Sequence, residues 1–429
     1  MSEAVGAAIP ADIANTIVDG RAYAAQTPVD EAFIWLRANA PLARAQADGY
    51  DPFWVVTRHA DIMDVERQSD LFHNGDRSST LQTREQTQMV AAFTGGETNL
   101  IRSLVSIDGT EHRSLRSVAF PSFTPQNLRR LEDKVREIAR GFVARMLEMG
   151  PECDFARDVA FLYPLHVIMQ VLGVPEEDEP LMLQLTQEIF SSNDPELNRE
   201  RKELTPAEVM AALNQTMLDL EAYFDKVTDE MRARPRDVVN SVLANAMING
   251  QYMSRRQLMG YYIIAATAGH DTTSNTTAAG LWALAERPDL FRALRADPGK
   301  LKGFVEESIR WAAPVKHFMR TATADVEVAG SKIAKGDWLM LSYQSANRDE
   351  AVFDNPFAFD IDRAPNKQIA FGYGPHVCLG QHLARMEMRI LWEELLPKLG
   401  SIELAGEPKR TISSFVCGPK SVPVRFAAA

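Results

Sequence analysis

Phe371-Gly372-Tyr373-Gly374-Pro375-His376-Val377-Cys378-Leu379-Gly380 is the stretch on which the reading of this chain turns. Its glycines and aromatics predict a tight, close-packed turn rather than regular structure. Apolar residues then recur at helical spacing, at Leu379, Leu383, Met386 and Ile390, which predicts a helix over Leu379 to Leu395. Cys378 therefore stands at a helix N-terminus, where free N–H groups and the helix dipole favour an anion. A thiol in that place ionises more readily, and a thiolate is a nucleophile or a metal ligand. A buried cysteine acting as a small hydrophobe is the third use. His376, two residues away, offers no fixed base geometry for nucleophilic catalysis. The loop alone leaves the choice open.

Composition sets the frame. The chain has 429 residues, 45% hydrophobic and 24% charged, as befits a large folded enzyme. No linker-like stretch divides it, so residues 1–429 are expected to form one domain. A net charge of −12 without a basic arm argues against nucleic acid as a partner. Met1 to Asp12 lacks the pattern of a secretory leader, and the longest apolar run, about Leu258 to Ala268, is too short to cross a bilayer. Cys153, Cys378 and Cys417 are too few and too scattered for a disulfide framework. A soluble, cytoplasmic protein with no membrane association is expected.

Helical periodicity runs through Leu131 to Met149, Thr216 to Met231 and Arg256 to Ala285, with Pro288 closing the last. That last segment is apolar nearly all round in its first half, as in a helix through a protein's centre. Strand signals are few: Phe53 to Thr57, then Val326 to Val328, Lys332 to Ala334 and Trp338 to Ser342 around Gly330 and Gly336. The polar stretch His73 to Asn99 reads as a long loop. The expected fold is mainly α with a small β region, its β-rich part at about 30–60 and 315–345.

Three further stretches carry chemistry. Ala268-Gly269-His270-Asp271-Thr272-Thr273 places poor helix formers in the middle of the central helix. A rule broken in the core often marks a site. Gly269 would let a ligand lie against the backbone, and Asp271 and Thr272 could pass protons to it; a simple kink is the competing explanation. Glu307-Ser308-Ile309-Arg310 sets an acid and a base three apart on a helix over Leu301 to Trp311, by itself an ordinary surface pair. In Asp108 to Arg116, His112 and Arg116 lie four apart at a helix start, on one face that could hold an anionic cofactor group.

Taken together, these stretches resemble the cytochrome P450 haem-thiolate monooxygenases over essentially the whole chain. Phe371, Gly374, Cys378 and Gly380 match the family's Phe-x-x-Gly-x-x-x-Cys-x-Gly signature, Asp271 and Thr272 its acid–alcohol pair, and Glu307 and Arg310 its Glu-x-x-Arg. Arg363 stands where the family completes that buried cluster. Within the family the chain is most similar to the bacterial α-terpineol-hydroxylating group, through Tyr163 to Met169, Pro314 to Arg320 and Ser345 to Glu350. At Asp108-Gly109-Thr110 it departs from the Asp-Pro-Pro of many bacterial members, which softens the start of that helix.

The resemblance implies the cytochrome P450 fold, with haem b (iron protoporphyrin IX) between the central helix and the cysteine-loop helix. It implies Cys378 as the axial ligand of the iron and His112, Arg116, Arg320 and His376 around the haem propionates. Gly269, Phe371 and Gly380 are expected against the cofactor, and Asp271 and Thr272 as the proton relay for O2 activation. It places Phe93, Leu100, Ile101, Ala265, Ala268, Phe318, Phe415 and Val416 around the substrate, a small hydrophobic terpenoid or aromatic hydrocarbon. The chain has no C-x4-C-x2-C segment and no nucleotide-binding glycine loop. Electrons are therefore expected from an iron–sulfur ferredoxin with its NAD(P)H-dependent ferredoxin reductase, docking on a monomer near Arg113, Arg116, Lys367 and Arg385. The rival readings are a peroxygenase, which would not need the acid–alcohol pair, and a non-enzymatic haem-binding sensor.

Overall fold

In the computed structural model, which describes residues 8–429, the central helix is Arg255–Glu286, 32 residues long. Most of the reading of Met1 to Asp12 as free of a leader falls on residues outside that range. Ser254 and Gln257 close a capping box at the start of the helix, which fixes where it begins. It is buried on nearly all sides, and the helices Leu162–Leu172, Leu301–Ala312 and Gln381–Leu395 pack around it in one large apolar core. Gly260 shows how close this packing is: a Cβ there would fall 1.9 Å from the Arg102 carbonyl oxygen, so the segment after Leu100 lies directly on the helix backbone.

The small β region is a five-stranded sheet ordered Leu42–Ala45, Phe53–Val56, Trp338–Ser342, His317–Ala322, Phe72–His73. Trp338–Ser342 runs parallel to Phe53–Val56, with Leu339 opposite Trp54, and antiparallel to His317–Ala322, with Trp338 opposite Thr321. Its side chains alternate as strand geometry requires: Trp338 and Met340 enter the core under the N-terminal helices, Leu339 and Leu341 the core on the other face. A second sheet joins Leu399–Leu404, Pro423–Ala428 and Glu152–Asp154. Among the described residues no helix is long and apolar enough to cross a membrane.

Several expectations are corrected. His73 to Asn99 contains the helix Arg84–Thr94, started by a capping box between Thr83 and Gln86. The three strands expected to cluster separate: Val326–Val328 pairs with Ser331–Ile333 alone, and Trp338–Ser342 joins the large sheet. Residues 27–39, partly within the expected β-rich region, are helical. The helix around Thr216 to Met231 extends over Pro206–Ala233.

Candidate active site

The cysteine loop folds by its own backbone. Gly372 and Gly374 adopt φ of 71° and 68°, where a side chain is strained. A Cβ on Gly374 would also fall 2.4 Å from the Glu66 carbonyl oxygen. The Cys378 amide donates to the Phe371 carbonyl at 2.9 Å and closes the loop at the foot of the helix Gln381–Leu395. Backbone N–H groups of Gly380 and Gln381 reach the sulfur. The thiol is enclosed by protein, and the exposure Cys378 retains opens into a cavity of about 410 Å³. Burial raises the pKa of the free thiol and outweighs the Gly380 N–H, Arg116 and Arg385. The helix N-terminus therefore does not by itself make this cysteine a thiolate. A bound metal cation would.

Of the residues expected around cofactor and substrate, the cavity is lined by Leu100, Ile101, Arg116, Ala265, Ala268, Gly269, Thr272, Phe318, Arg320, Phe371, His376, Cys378, Gly380, Phe415 and Val416. Three others lie elsewhere. Phe93 stays 47% exposed on the helix Arg84–Thr94. Asp271 is buried off the cavity, because adjacent helical residues point about 100° apart and Thr272 takes the inward position. His112 stands behind His376, the two rings stacked 3.9 Å apart. Gly269 lines the cavity, but the side it leaves bare faces Ile168, 2.8 Å from where a Cβ would sit. Its small size thus also serves the packing of the central helix on Leu162–Leu172.

One edge of the cavity is cationic. Arg116 donates to the Val377 carbonyl at 2.6 Å. Arg320 is held from behind by Glu66, Nη2 to Oε1 at 3.1 Å, and the Tyr343 hydroxyl donates to the same oxygen at 2.6 Å. Asn74 donates to His376 Nε2 at 2.9 Å and to Asp108 Oδ1 at 3.0 Å. Burial opposes ionisation of Asp108, yet the neighbouring His376 ring and the hydrogen bonds donated by Asn74 and Gly75 hold the carboxyl well below the usual range. Burial, with the neighbouring His376 and Arg116, brings His112 down to about 4. His112 Nε2 is buried without a partner.

On the central helix, the Thr272 hydroxyl donates to the Ala268 carbonyl at 2.9 Å. Asp271 lies 3.4 Å from His270 Nδ1, its Oδ2 is unpartnered, and burial raises its pKa against the opposing effect of His270. A second buried acid, Glu387, does line the cavity; burial pushes its pKa well up, with the Thr273 hydroxyl opposing. Glu387 was legible as a charge four residues after Leu383, on the buried stripe of its helix. Nothing in the sequence pointed to Glu66 or Tyr343.

Glu307 and Arg310 are wholly buried and joined by two hydrogen bonds of 2.6 and 2.8 Å. Arg310 also donates to the carbonyls of Asn347, Pro356 and Ala358, and Arg363 completes the cluster 3.3 Å from Glu307. The cluster ties the long loop before the cysteine turn to the helix Leu301–Ala312. Of the basic groups expected at a docking face, Arg385 pairs with Glu306 and covers the Phe371 ring, and Arg116 faces inward. Arg113 and Lys367 remain exposed, with no carboxylate partner among the described residues.

These residues fit haem. No group of three or more His, Cys, Asp or Glu among the described residues could hold a metal by itself, whereas the Cys378 thiol in the cavity would give a haem iron one sulfur ligand. The cationic edge formed by Arg116 and Arg320 beside His376 suits two carboxylate arms.

The sequence model of the family described as Cytochrome P450 matches residues 66–298 and 300–424. Cytochrome P450-terp of a Pseudomonas species is 45% identical over 99% of both chains. The crystal structure of CYP108D1 from Novosphingobium aromaticivorans superposes with a TM-score of 0.91 at 45% identity, covering 98% of this chain and 100% of that one. A Mycobacterium marinum cytochrome P450, CYP268A2, solved in complex with pseudoionone, gives a TM-score of 0.86 at 30% identity over 99% of both.

Proposed function

The chain belongs to the cytochrome P450 family and is a haem b monooxygenase, and we propose that it inserts one oxygen atom of O2 into a small, neutral terpenoid. The observation that carries this reading is a single apolar cavity holding both the Cys378 thiol and the Thr272 hydroxyl. The relative named P450-terp and the neighbour solved with pseudoionone favour a terpenoid over an aromatic hydrocarbon.

The Cys378 thiolate would hold the haem iron, and the bound group would supply the redox chemistry of O2 activation. The N–H groups of Gly380 and Gln381 temper the basicity of the sulfur. Arg116, Arg320 and His376, with His112 behind, would receive the propionates. Inserting one oxygen atom consumes two electrons and two protons and releases the other atom as water. Thr272 Oγ1 orients the donor of those protons. Asp271 holds a proton on its carboxyl and rotates to hand it on. Ala265, Ala268, Leu100, Ile101, Phe318, Phe415 and Val416 exclude water and orient a substrate without charge.

The electrons come from an iron–sulfur ferredoxin served by an NAD(P)H-dependent ferredoxin reductase. Its acidic surface docks on the cysteine side against Arg113 and Lys367. The protein works as a cytoplasmic, single-domain monomer.

The test is a spin-state titration of the haem-loaded protein with α-terpineol, acyclic terpene alcohols and polycyclic aromatics. Product analysis with a ferredoxin system follows. A terpene alcohol should give the largest low-to-high-spin shift and a hydroxylated product. A shift with aromatics alone would overturn the substrate class, and product formed only with added peroxide would make the protein a peroxygenase. In Thr272→Ala, product per NAD(P)H should fall while peroxide accumulates; unchanged coupling would remove Thr272 from the relay.

A further inference from the structure

We propose that His317 is the positioning residue that fixes the substrate-facing wall of the cavity, by clamping two irregular segments to one strand. The inference rests on the reading of this cavity as the substrate site. His317 opens the strand His317–Ala322 and is 0% exposed. Its Nε2 accepts the Leu81 N–H at 3.1 Å, and its Nδ1 lies 3.1 Å from the Ser414 carbonyl oxygen. The partners settle the protonation: an amide can only donate and a carbonyl can only accept, so the proton sits on Nδ1 and Nε2 is bare. Burial keeps the imidazole neutral, pulling its pKa down to about 4 against the opposing Ser414 carbonyl.

Each element joined in this way contributes to the wall. Ser79 and Thr80 come from the first segment, Phe318 from the strand, Phe415 and Val416 from the second. The segments around Leu81 and Ser414 have no helix or strand of their own to hold them in place. Backbone bonds begin the attachment, Met319 N–H to Ser79 at 2.9 Å and Lys316 N–H to Phe415 at 2.8 Å. The imidazole completes it, bridging the two segments directly. Its ring also packs edge-on against Phe415, 5.6 Å between centroids, and Phe415 meets Phe318 at 5.5 Å. A phenyl ring at 317 would fill similar space while leaving the Leu81 N–H and the Ser414 carbonyl unpaired. A glutamine amide can serve both partners.

The test uses the haem-loaded protein and two iron-ligating probes. Imidazole is too small to need the wall, whereas 4-phenylimidazole must fit against it. This choice makes the result independent of the natural substrate, so failure of the terpenoid reading and failure of the clamp are distinguishable. In His317→Phe the dissociation constant of 4-phenylimidazole should rise about tenfold, the scale expected when two buried hydrogen bonds are lost. That of imidazole should stay within about twofold, and His317→Gln should recover most of the loss. Unchanged binding in His317→Phe, equal weakening for both probes, or no recovery in His317→Gln would each overturn the proposal. Should His317→Phe not fold, ¹⁵N-histidine NMR of the wild-type reduced carbon-monoxide form decides: a proton on Nδ1 supports the clamp, and one on Nε2 overturns it.

Discussion

Replacing Lys316 with methionine should change how the stability of this protein depends on pH. Lys316 is 1% exposed, and its Nζ donates to the Ala312 carbonyl at 2.9 Å and to Gln344 Oε1 at 3.2 Å. A neutral amine has two N–H groups for these two acceptors, whereas an ammonium carries a third with no partner. Burial brings the pKa from 10.5 down to about 7; Arg348 and Arg410 push the same way, and Cys417 and Asp30 oppose. Between those values the unfolded chain holds one proton more than the folded one, so stability rises with pH. The slope from this group approaches about 1.4 kcal/mol per pH unit, which sums to roughly 5 kcal/mol across the window before relaxation and water entry reduce it. In a chain of this length that is about 1.5 °C of melting temperature per pH unit. Melting wild type and Lys316→Met in parallel from pH 6 to 10 isolates the effect, since all other groups are shared. The difference, wild type minus variant, should be flat below about pH 6.5 and climb above it. Parallel curves throughout would refute a neutral buried lysine.

Further outcomes concern the packing that holds the site. Glu307→Ala strips Arg310 of its buried carboxylate, at a cost of about 3–5 kcal/mol; soluble, haem-loaded protein should fall steeply, and a wild-type yield would contradict the structural role of the cluster. Gly269→Ala drives a methyl against Ile168 and should cost about 1–3 kcal/mol, read as a lower melting temperature. Combining it with Ile168→Ala should cost less than the two changes summed; strict additivity would mean that the two residues do not touch.

What the sequence reveals and what it hides follow the range of the interactions. The cysteine turn was legible because its determinants are local: glycines where φ is positive, a cysteine, then an apolar stripe. The helix Arg84–Thr94 was missed because its polar residues, Arg84 to Gln88, and its apolar ones, Met89 to Phe93, fall in two blocks without helical periodicity, although Thr83 and Gln86 carried a local start signal. The strand His317–Ala322 falls inside the β-rich region expected at about 315–345 but gives no strand signal of its own, because His317 and Arg320 look wrong for a buried strand until their partners, Leu81, Ser414 and Glu66, arrive from far along the chain. Asp271 was grouped with Thr272 by adjacency, and helical rotation separates them. A helix N-terminus favours the thiolate of Cys378, but burial, a property of the whole fold, reverses that preference for the free thiol.

Iron ligation by Cys378 is tested most directly by the absorption spectrum of the reduced carbon-monoxide complex, measured on wild type and Cys378→Ser. Thiolate ligation predicts a strongly red-shifted Soret band in wild type and its loss in the variant, with haem still bound. A band that survives the substitution, or one absent from the wild type, would contradict it.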